Sequence, residues 1–479
     1  MRVSEAFALD RSQGELDFVD VHVDRDTALF VDPATLRHIN GTWARECVAL
    51  VQDFFQTVIN AIGRGEHGLA LELLRGLREP NETRLGLSRG APRGHALGPD
   101  SSEDIFDALE QSEATRTGLL QHLEDTALLV RGIGRDIISD ITTNLIRSPL
   151  LAYTERIAGY YAIPLTAGVV SGPLWDPAGH AWTEGRQVPM PIAQDRRLLL
   201  VPKSIVRQDL SYDTDEYLTN FILPVLEHRE IAANSELVRT IKYNGTKKVA
   251  RKDLIAKYGA KKEEITRVTL DEKGAPLAQY RRVKEANPTK APDHIDMVAP
   301  TGSDVPDFTK LVTDIRAVAP GGPGASAYHS AVERLLSAIF TPSLTMPTKE
   351  LSIHEGRKRI DIAYTNAGIG DFFAWVAQHH PAPNIFIECK NYSGDPANPE
   401  LDQLAGRFSP SRGKVGFLCC RTFDDKALFI SRCRDTALDD RGFIIVLDDD
   451  DLEQLAVMRS ASDQAAMYVF FKTRFDELI

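Results

Sequence analysis

The stretch Asn384-Ile385-Phe386-Ile387-Glu388-Cys389-Lys390 decides the reading of the last third of this chain. Its apolar, β-branched character is that of a strand, and the two-residue period sets Glu388 and Lys390 side by side on one face, away from Ile387 and Cys389. Upstream, Arg357-Lys358-Arg359-Ile360-Asp361-Ile362-Ala363-Tyr364 reads as a second strand, with Ile360 and Ile362 on one face and Asp361 on the other. Earlier still, Ala331-Val332-Glu333-Arg334-Leu335-Leu336-Ser337-Ala338-Ile339-Phe340 has helical spacing, with Glu333 at the edge of its apolar stripe. Two strands and a helix thus offer three carboxylates and an amine.

That set suits phosphodiester hydrolysis. Hard cations such as Mg²⁺ or Mn²⁺ take oxygen ligands, typically one or two carboxylates plus substrate phosphate. Such an ion lowers the pKa of a bound water and screens phosphate charge, while a neighbouring ammonium orients the water or stabilises developing negative charge.

The order Glu333, Asp361, Glu388-Cys389-Lys390 resembles the PD-(D/E)XK nuclease superfamily, and the surrounding text, over residues 326–455, is similar to Mrr-type restriction endonucleases. The resemblance implies a mixed sheet flanked by helices, with Asp361, Glu388 and Glu333 as metal ligands and Lys390 acting on the attacking water. It also implies a helix after the Glu-x-Lys strand that often carries a glutamine; Asn398-Pro399-Glu400-Leu401-Asp402-Gln403-Leu404-Ala405-Gly406-Arg407 fits, with Gln403 as the candidate. Residues 414–421 and 442–447 then stand as the later core strands. The sequence departs from the signature at Ile360, where the superfamily's name has proline.

The rest of the chain reads as mixed α/β. Residues 16–23 and 28–32 have the alternation of short strands, residues 43–62 the spacing of a buried helix face, residues 101–161 that of a helical layer, and Arg196 to Lys203 that of a buried strand. A helix over 215–227 meets Pro224, which should kink or end it. The breaker cluster Ala319-Pro320-Gly321-Gly322-Pro323-Gly324 reads as a linker permitting domain movement. The expected division is therefore 1–206, 207–318 and 319–479.

Charge is unevenly spread. The chain carries a formal net charge of −12, yet residues 239–290 hold 15 Lys and Arg against 6 Asp and Glu. Lys247, Lys248, Arg251 and Lys252, with Tyr243, Tyr258 and Tyr280 interleaved, fit a surface that tracks a nucleic-acid backbone. Three other features invite a site. The glycine-rich residues 85–95, with Arg93 and His95, match no phosphate-loop pattern and read as an ordinary loop. Asp448 to Asp451 precede a helix and read as its cap. Asp136, Asp140 and Asn144 share a helix face that reads as solvated or capping, or as lining a ligand.

Five cysteines without paired spacing argue against a disulfide framework or structural zinc, and the chain start has no secretory pattern. The apolar runs are too short to span a bilayer, so no membrane partner and a cytoplasmic location are expected. The leading expectation is a metal-dependent DNA endonuclease. Its N-terminal region resembles, in arrangement, uncharacterised regions fused to nucleases in bacterial defence proteins, which implies restriction or anti-phage defence and a homo-oligomer or defence-system partner. The alternatives are a ligand- or partner-sensing protein with the nuclease domain as output or scaffold, and a DNA-repair nuclease. DNA versus RNA preference, cleavage specificity and any small-molecule activator stay open.

Overall fold

A computed structural model describes residues 1–86, 99–353, 358–392, 394, 396 and 398–479. The chain is mixed α/β, and its largest sheet lies in the C-terminal region, flanked by helices. Among the described residues, no helix is long and apolar enough to cross a membrane.

The N-terminal half is mainly helical around one core. The helix Thr42–Gly63 turns Phe54, Phe55, Val58 and Ile62 inward, and Arg135–Leu145 and Arg147–Tyr161 pack with it. The expected strand over 28–32 shrinks to Phe30–Val31, paired with Val206–Arg207. Residues 16–23 form no ladder. Every side chain from Leu16 to Val21 is buried, and the alternating carboxylates are internal anchors: Asp17 accepts from Tyr153 Oη (2.6 Å) and Asp20 from Ser4 Oγ (2.6 Å). Alternation here marks buried polar anchors, not a wet sheet face.

The strand expected at Arg196 to Lys203 is likewise confined to Arg196–Arg197. Beyond it, the backbone is satisfied piecemeal: Leu198 N donates to Pro191 O, Leu199 N to Glu82 O and Leu200 N to Thr154 Oγ1. Near Pro224 the helix does not end. A wide π turn, Leu218–Ile222, absorbs the missing donor before the chain continues as Leu223–Ala232.

The middle region is not a separate body. Tyr217, Leu226, Leu254, Ile265, Tyr280 and Met297 belong to the same core as the N-terminal helices. The second core starts at Phe308, ahead of the breaker cluster, because helix α1 (Phe308–Arg316) packs Phe308, Leu311, Val312 and Ile315 into it. Nor does the cluster hang free: Gly321 N donates to Asn391 O (2.7 Å), and Asn391 Nδ2 donates to Ala319 O and Gly321 O. The expected linker is thus a loop fastened to the residue that follows Lys390.

After α1 come α2 (Ala325–Phe340), β1 (Leu344–Ile353), β2 (Lys358–Asn366), α3 (Asp371–His379), β3 (Asn384–Lys390), α4 (Asn398–Ala405), β4 (Val415–Cys420), α5 (Lys426–Leu438), β5 (Phe443–Leu447), α6 (Asp449–Ser460) and α7 (Gln464–Asp476). The sheet order is β1-β2-β3-β4-β5, with the first two pairings antiparallel and the last two parallel. β4 is buried along its whole length, as a parallel strand covered on both faces must be. On one face Phe340 of α2 and Phe471 of α7 meet Phe417 of β4. On the other, Phe408 stacks on Phe386 of β3, where Gly416 leaves room: a Cβ there would lie 3.1 Å from the Phe408 ring.

Candidate active site

Strand register decides which carboxylates meet. Ile362 pairs with Ile387 and Ala363 with Phe386, so continuing the ladder by one residue sets Asp361 beside Glu388 on the face that also carries Lys390. The side chains agree: Cys389 N donates to Asp361 Oδ2 at 3.0 Å, and Lys390 Nζ donates to Glu388 Oε1 at 2.8 Å and to Gln403 Oε1 at 3.3 Å. Gln403 is exposed on α4, while Asp361 and Lys390 are half-buried, so the cluster opens to solvent past these three. Asp361, Glu388, Lys390 and Gln403 are therefore brought together, as the resemblance implies.

Glu388 is the buried member, with its side chain 1% exposed. Burial pushes its carboxyl above the ordinary range, Asp361 pushes it the same way, and Lys390 and Arg407 oppose both. For Lys390, burial pulls the ammonium down, but Glu388 and Asp361 outweigh it and hold it above its usual value. Arg407, buried just beyond α4, donates to Glu388 Oε2. Sequence reasoning passed over Arg407, which lies in the turn two residues past the end of α4. Two carboxylates and two cations thus form one compact group.

Glu333 does not join them. It lies on α2, against the opposite face of the sheet, which carries Ile362, Tyr364, Ile385 and Ile387. There, fully buried, it accepts two hydrogen bonds from Arg11 (3.1 and 2.6 Å), one from Tyr160 Oη (2.7 Å) and one from Ser337 Oγ (3.1 Å), with Lys349 Nζ at 3.2 Å. Burial would raise its carboxyl, but Arg11 and Lys349 overcome that and hold it at about 2. The sequence places Glu333 in the metal site; the fold makes it the anchor of an interdomain cluster. Arg11 and Tyr160 are 322 and 173 residues away in the chain, beyond any local signal.

The same seam continues around it. Arg334 Nε donates to Glu15 (2.6 Å), and Asp17 Oδ1 accepts from Thr345 Oγ1 and Met346 N, both at 2.9 Å. Lys203 Nζ donates to Gln13 O (2.8 Å) and, across the seam, to Thr341 Oγ1 (3.4 Å), and burial draws that ammonium down to about 7.

Among the described residues, no group of three or more His, Cys, Asp or Glu side chains could hold a metal. Asp361 and Glu388 still fit a hard dication of the Mg²⁺ kind, which needs only one or two carboxylates when substrate phosphate supplies further oxygens.

The other candidates resolve differently. Lys247 and Lys248 lie on the short hairpin Arg239–Thr240/Lys247–Lys248, and Arg251 and Lys252 open the helix Arg251–Tyr258; all four are exposed. Lys247 donates to Asn234 Oδ1, while Lys248, Arg251 and Lys252 have no ion-pair partner among the described residues. Tyr243 is fully presented, but Tyr280, expected on that surface, is buried among Tyr212, Tyr217 and Phe221. Asp448 caps α6, and Lys426 bonds both Asp448 and Asp451. Asp140 and Asn144 are buried, not solvated: Asn144 accepts from Arg78 N, and burial pushes Asp140 up to about 8. Of the glycine-rich loop, residues 87–95 lie outside the described residues. All five cysteines are free.

Residues 8–213 match a family model described as a domain of unknown function (DUF8370). No curated protein and no solved structure matches the chain.

Glu333 generates a pH prediction. A carboxyl at about 2 when folded and at its ordinary 4.5 when unfolded stabilises the fold fully above pH 4.5, and that contribution is lost as pH falls toward about 2. Glu333→Gln should cost about 3 kcal/mol at pH 7, because Arg11 and Lys349 lose their counter-charge. Urea unfolding at several pH values should show the gap between wild type and variant closing below pH 4.5. An equal gap at pH 7 and pH 3 would contradict the assignment.

Proposed function

We propose that the C-terminal domain is a divalent-metal-dependent endonuclease that hydrolyses phosphodiester bonds, with DNA as its substrate and Mg²⁺ or Mn²⁺ as its ion. The observation that carries this reading is the convergence of Asp361, Glu388, Lys390 and Gln403 on one solvent-reaching face of the β2–β3 pair. When bound, the ion would lower the pKa of a water and screen phosphate charge. Asp361 and Glu388 supply its oxygen ligands. Lys390, held protonated by the two carboxylates, orients the attacking water and neutralises charge that grows on the phosphate. Gln403, bonded to Lys390, fixes the direction of that ammonium. Glu333 has no part in the chemistry in this reading, since its oxygens are taken by Arg11, Tyr160 and Ser337.

The exposed Lys247, Lys248, Arg251 and Lys252 would add phosphate contacts that do not depend on sequence. A cytoplasmic role in restriction or anti-phage defence fits a nuclease attached to a large second body. The clasp on Glu333 favours one further element: the N-terminal region as a sensor or holder of the nuclease domain, with cleavage as its regulated output.

Two experiments test this. Full-length protein should nick supercoiled plasmid in Mg²⁺ and stop in a chelator, and Asp361→Ala and Lys390→Ala should each lower nicking by at least about 100-fold with an unchanged circular dichroism spectrum. Normal nicking by either folded variant would remove that residue from the site, and a panel of RNA, nicked and branched DNA would expose a different substrate. Reversing Lys247, Lys248, Arg251 and Lys252 to Glu should weaken DNA binding across sequences and flatten its salt dependence by about one log-log slope unit per lost phosphate contact. An unchanged slope would make this patch merely solvated.

A further inference from the structure

Glu388 has two oxygens, and both are occupied by the chain's own cations. Oε1 accepts from Lys390 Nζ, and Oε2 from Arg407 Nη1. Each oxygen keeps a second lone pair, but the two cations held against the carboxylate already balance its charge and repel an incoming dication, so the ion binds well only once one partner leaves. Lys390 is the less suited to leave, since Gln403 also holds it.

Arg407 is built differently. Its backbone is fixed: its N–H closes on Leu404 O (3.0 Å), its carbonyl accepts from the Arg412 guanidinium (3.3 and 3.1 Å), and the neighbouring Phe408 stacks on Phe386. Its guanidinium, in contrast, donates to no group but Glu388 among the described residues. A rigid base thus carries a planar fork with one exchangeable anionic partner, and a phosphodiester, with its two non-bridging oxygens, is the anion such a fork binds in bidentate fashion.

Building on the nuclease reading above, we propose that Arg407 holds the divalent cation's place on Glu388 in the free protein and transfers to the substrate phosphate when nucleic acid binds, so that cation and phosphodiester bind cooperatively. Arg407 then acts twice. In the free chain it neutralises a buried carboxylate that would otherwise face Asp361 as a like charge. In the complex it vacates Glu388 and clamps the phosphate, so the four-group cluster binds the ion more tightly when substrate is present. Nothing covalent changes in the exchange; one guanidinium moves from a carboxylate to a phosphate. Coupling of this kind is reciprocal, so the ion must strengthen DNA binding by the factor by which DNA strengthens ion binding.

The test reads ion binding, not cleavage. Mn²⁺ binding to the full chain is measured by electron paramagnetic resonance, with and without a phosphorothioate-substituted 20-base-pair duplex, for wild type, Arg407→Gln, Arg407→Lys and Asp361→Asn. The free wild-type protein should bind Mn²⁺ weakly, with the duplex tightening it about tenfold or more. Arg407→Gln should bind Mn²⁺ about tenfold more tightly than wild type without DNA and lose most of the duplex effect, because its competing charge is gone. Arg407→Lys, which keeps the charge, should stay close to wild type without DNA and guards against a folding artefact in the glutamine variant. Equal Mn²⁺ affinity in free wild type and free Arg407→Gln, with Mn²⁺ still bound in an Asp361-dependent manner, overturns the proposal while leaving the nuclease site standing. Binding that Asp361→Asn does not weaken, with or without duplex, overturns the nuclease reading itself.

Discussion

A carboxylate taken wholly out of water must be compensated by its surroundings, and Glu388 sets that constraint on the C-terminal domain. It lies on the central strand of a five-stranded sheet, 1% exposed, beside a second carboxylate. The same strand supplies Lys390, and the turn just after α4 supplies Arg407. Positioning Arg407 in turn requires Phe408 to stack against Phe386, which requires a glycine at 416. The parallel register of β3 and β4 brings Gly416 opposite Phe386. Local geometry around one buried charge thus links register, a loop and a small residue two elements away.

A second buried carboxylate ties this domain to the rest of the chain. Glu333 draws in Arg11 and Tyr160, and the seam extends through Glu15, Asp17 and Lys203 to α2 and β1. Met346, Ala367 and Ile369 even belong to the N-terminal core. Contacts this polar and this buried resist partial opening, since each separated group would lose its partner in a poorly solvated place. The loop of residues 319–324, fastened to Asn391 at the end of β3, joins the seam to the candidate site through the backbone. Any influence of the N-terminal region on the site has a short physical route, along α2 or through this loop, without a flexible tether.

How much of this could be read in the sequence varies with the range of the signal. The alternation placed Asp361 on the face opposite Ile360 and Ile362 in β2 and Glu388 beside Lys390 in β3, because a two-residue period is a local rule. Their joining in one site was implied by the resemblance and depends on the β2–β3 register. Gln403 was named by the resemblance alone. Glu333 misled because helical periodicity gives a face but not the side of the sheet that the face will cover; that depends on how α2 crosses β3. Arg407 carries no motif. Residues 16–23 looked like a strand because buried polar anchors and a half-exposed strand leave the same alternating pattern. The Pro and Gly cluster looked like a tether because composition reports what a backbone can do when free and cannot see that Asn391 holds it.

The central claim is that Asp361 and Glu388 hold a divalent ion against a phosphodiester. Anomalous diffraction from crystals of the full chain grown with Mn²⁺ and an uncleaved duplex tests it most directly. The account predicts one anomalous peak within coordination distance of both carboxylates and a backbone phosphate, with Lys390 directed at that phosphate. Duplex ordered at these residues without a metal peak, or a peak elsewhere in the chain, would contradict it.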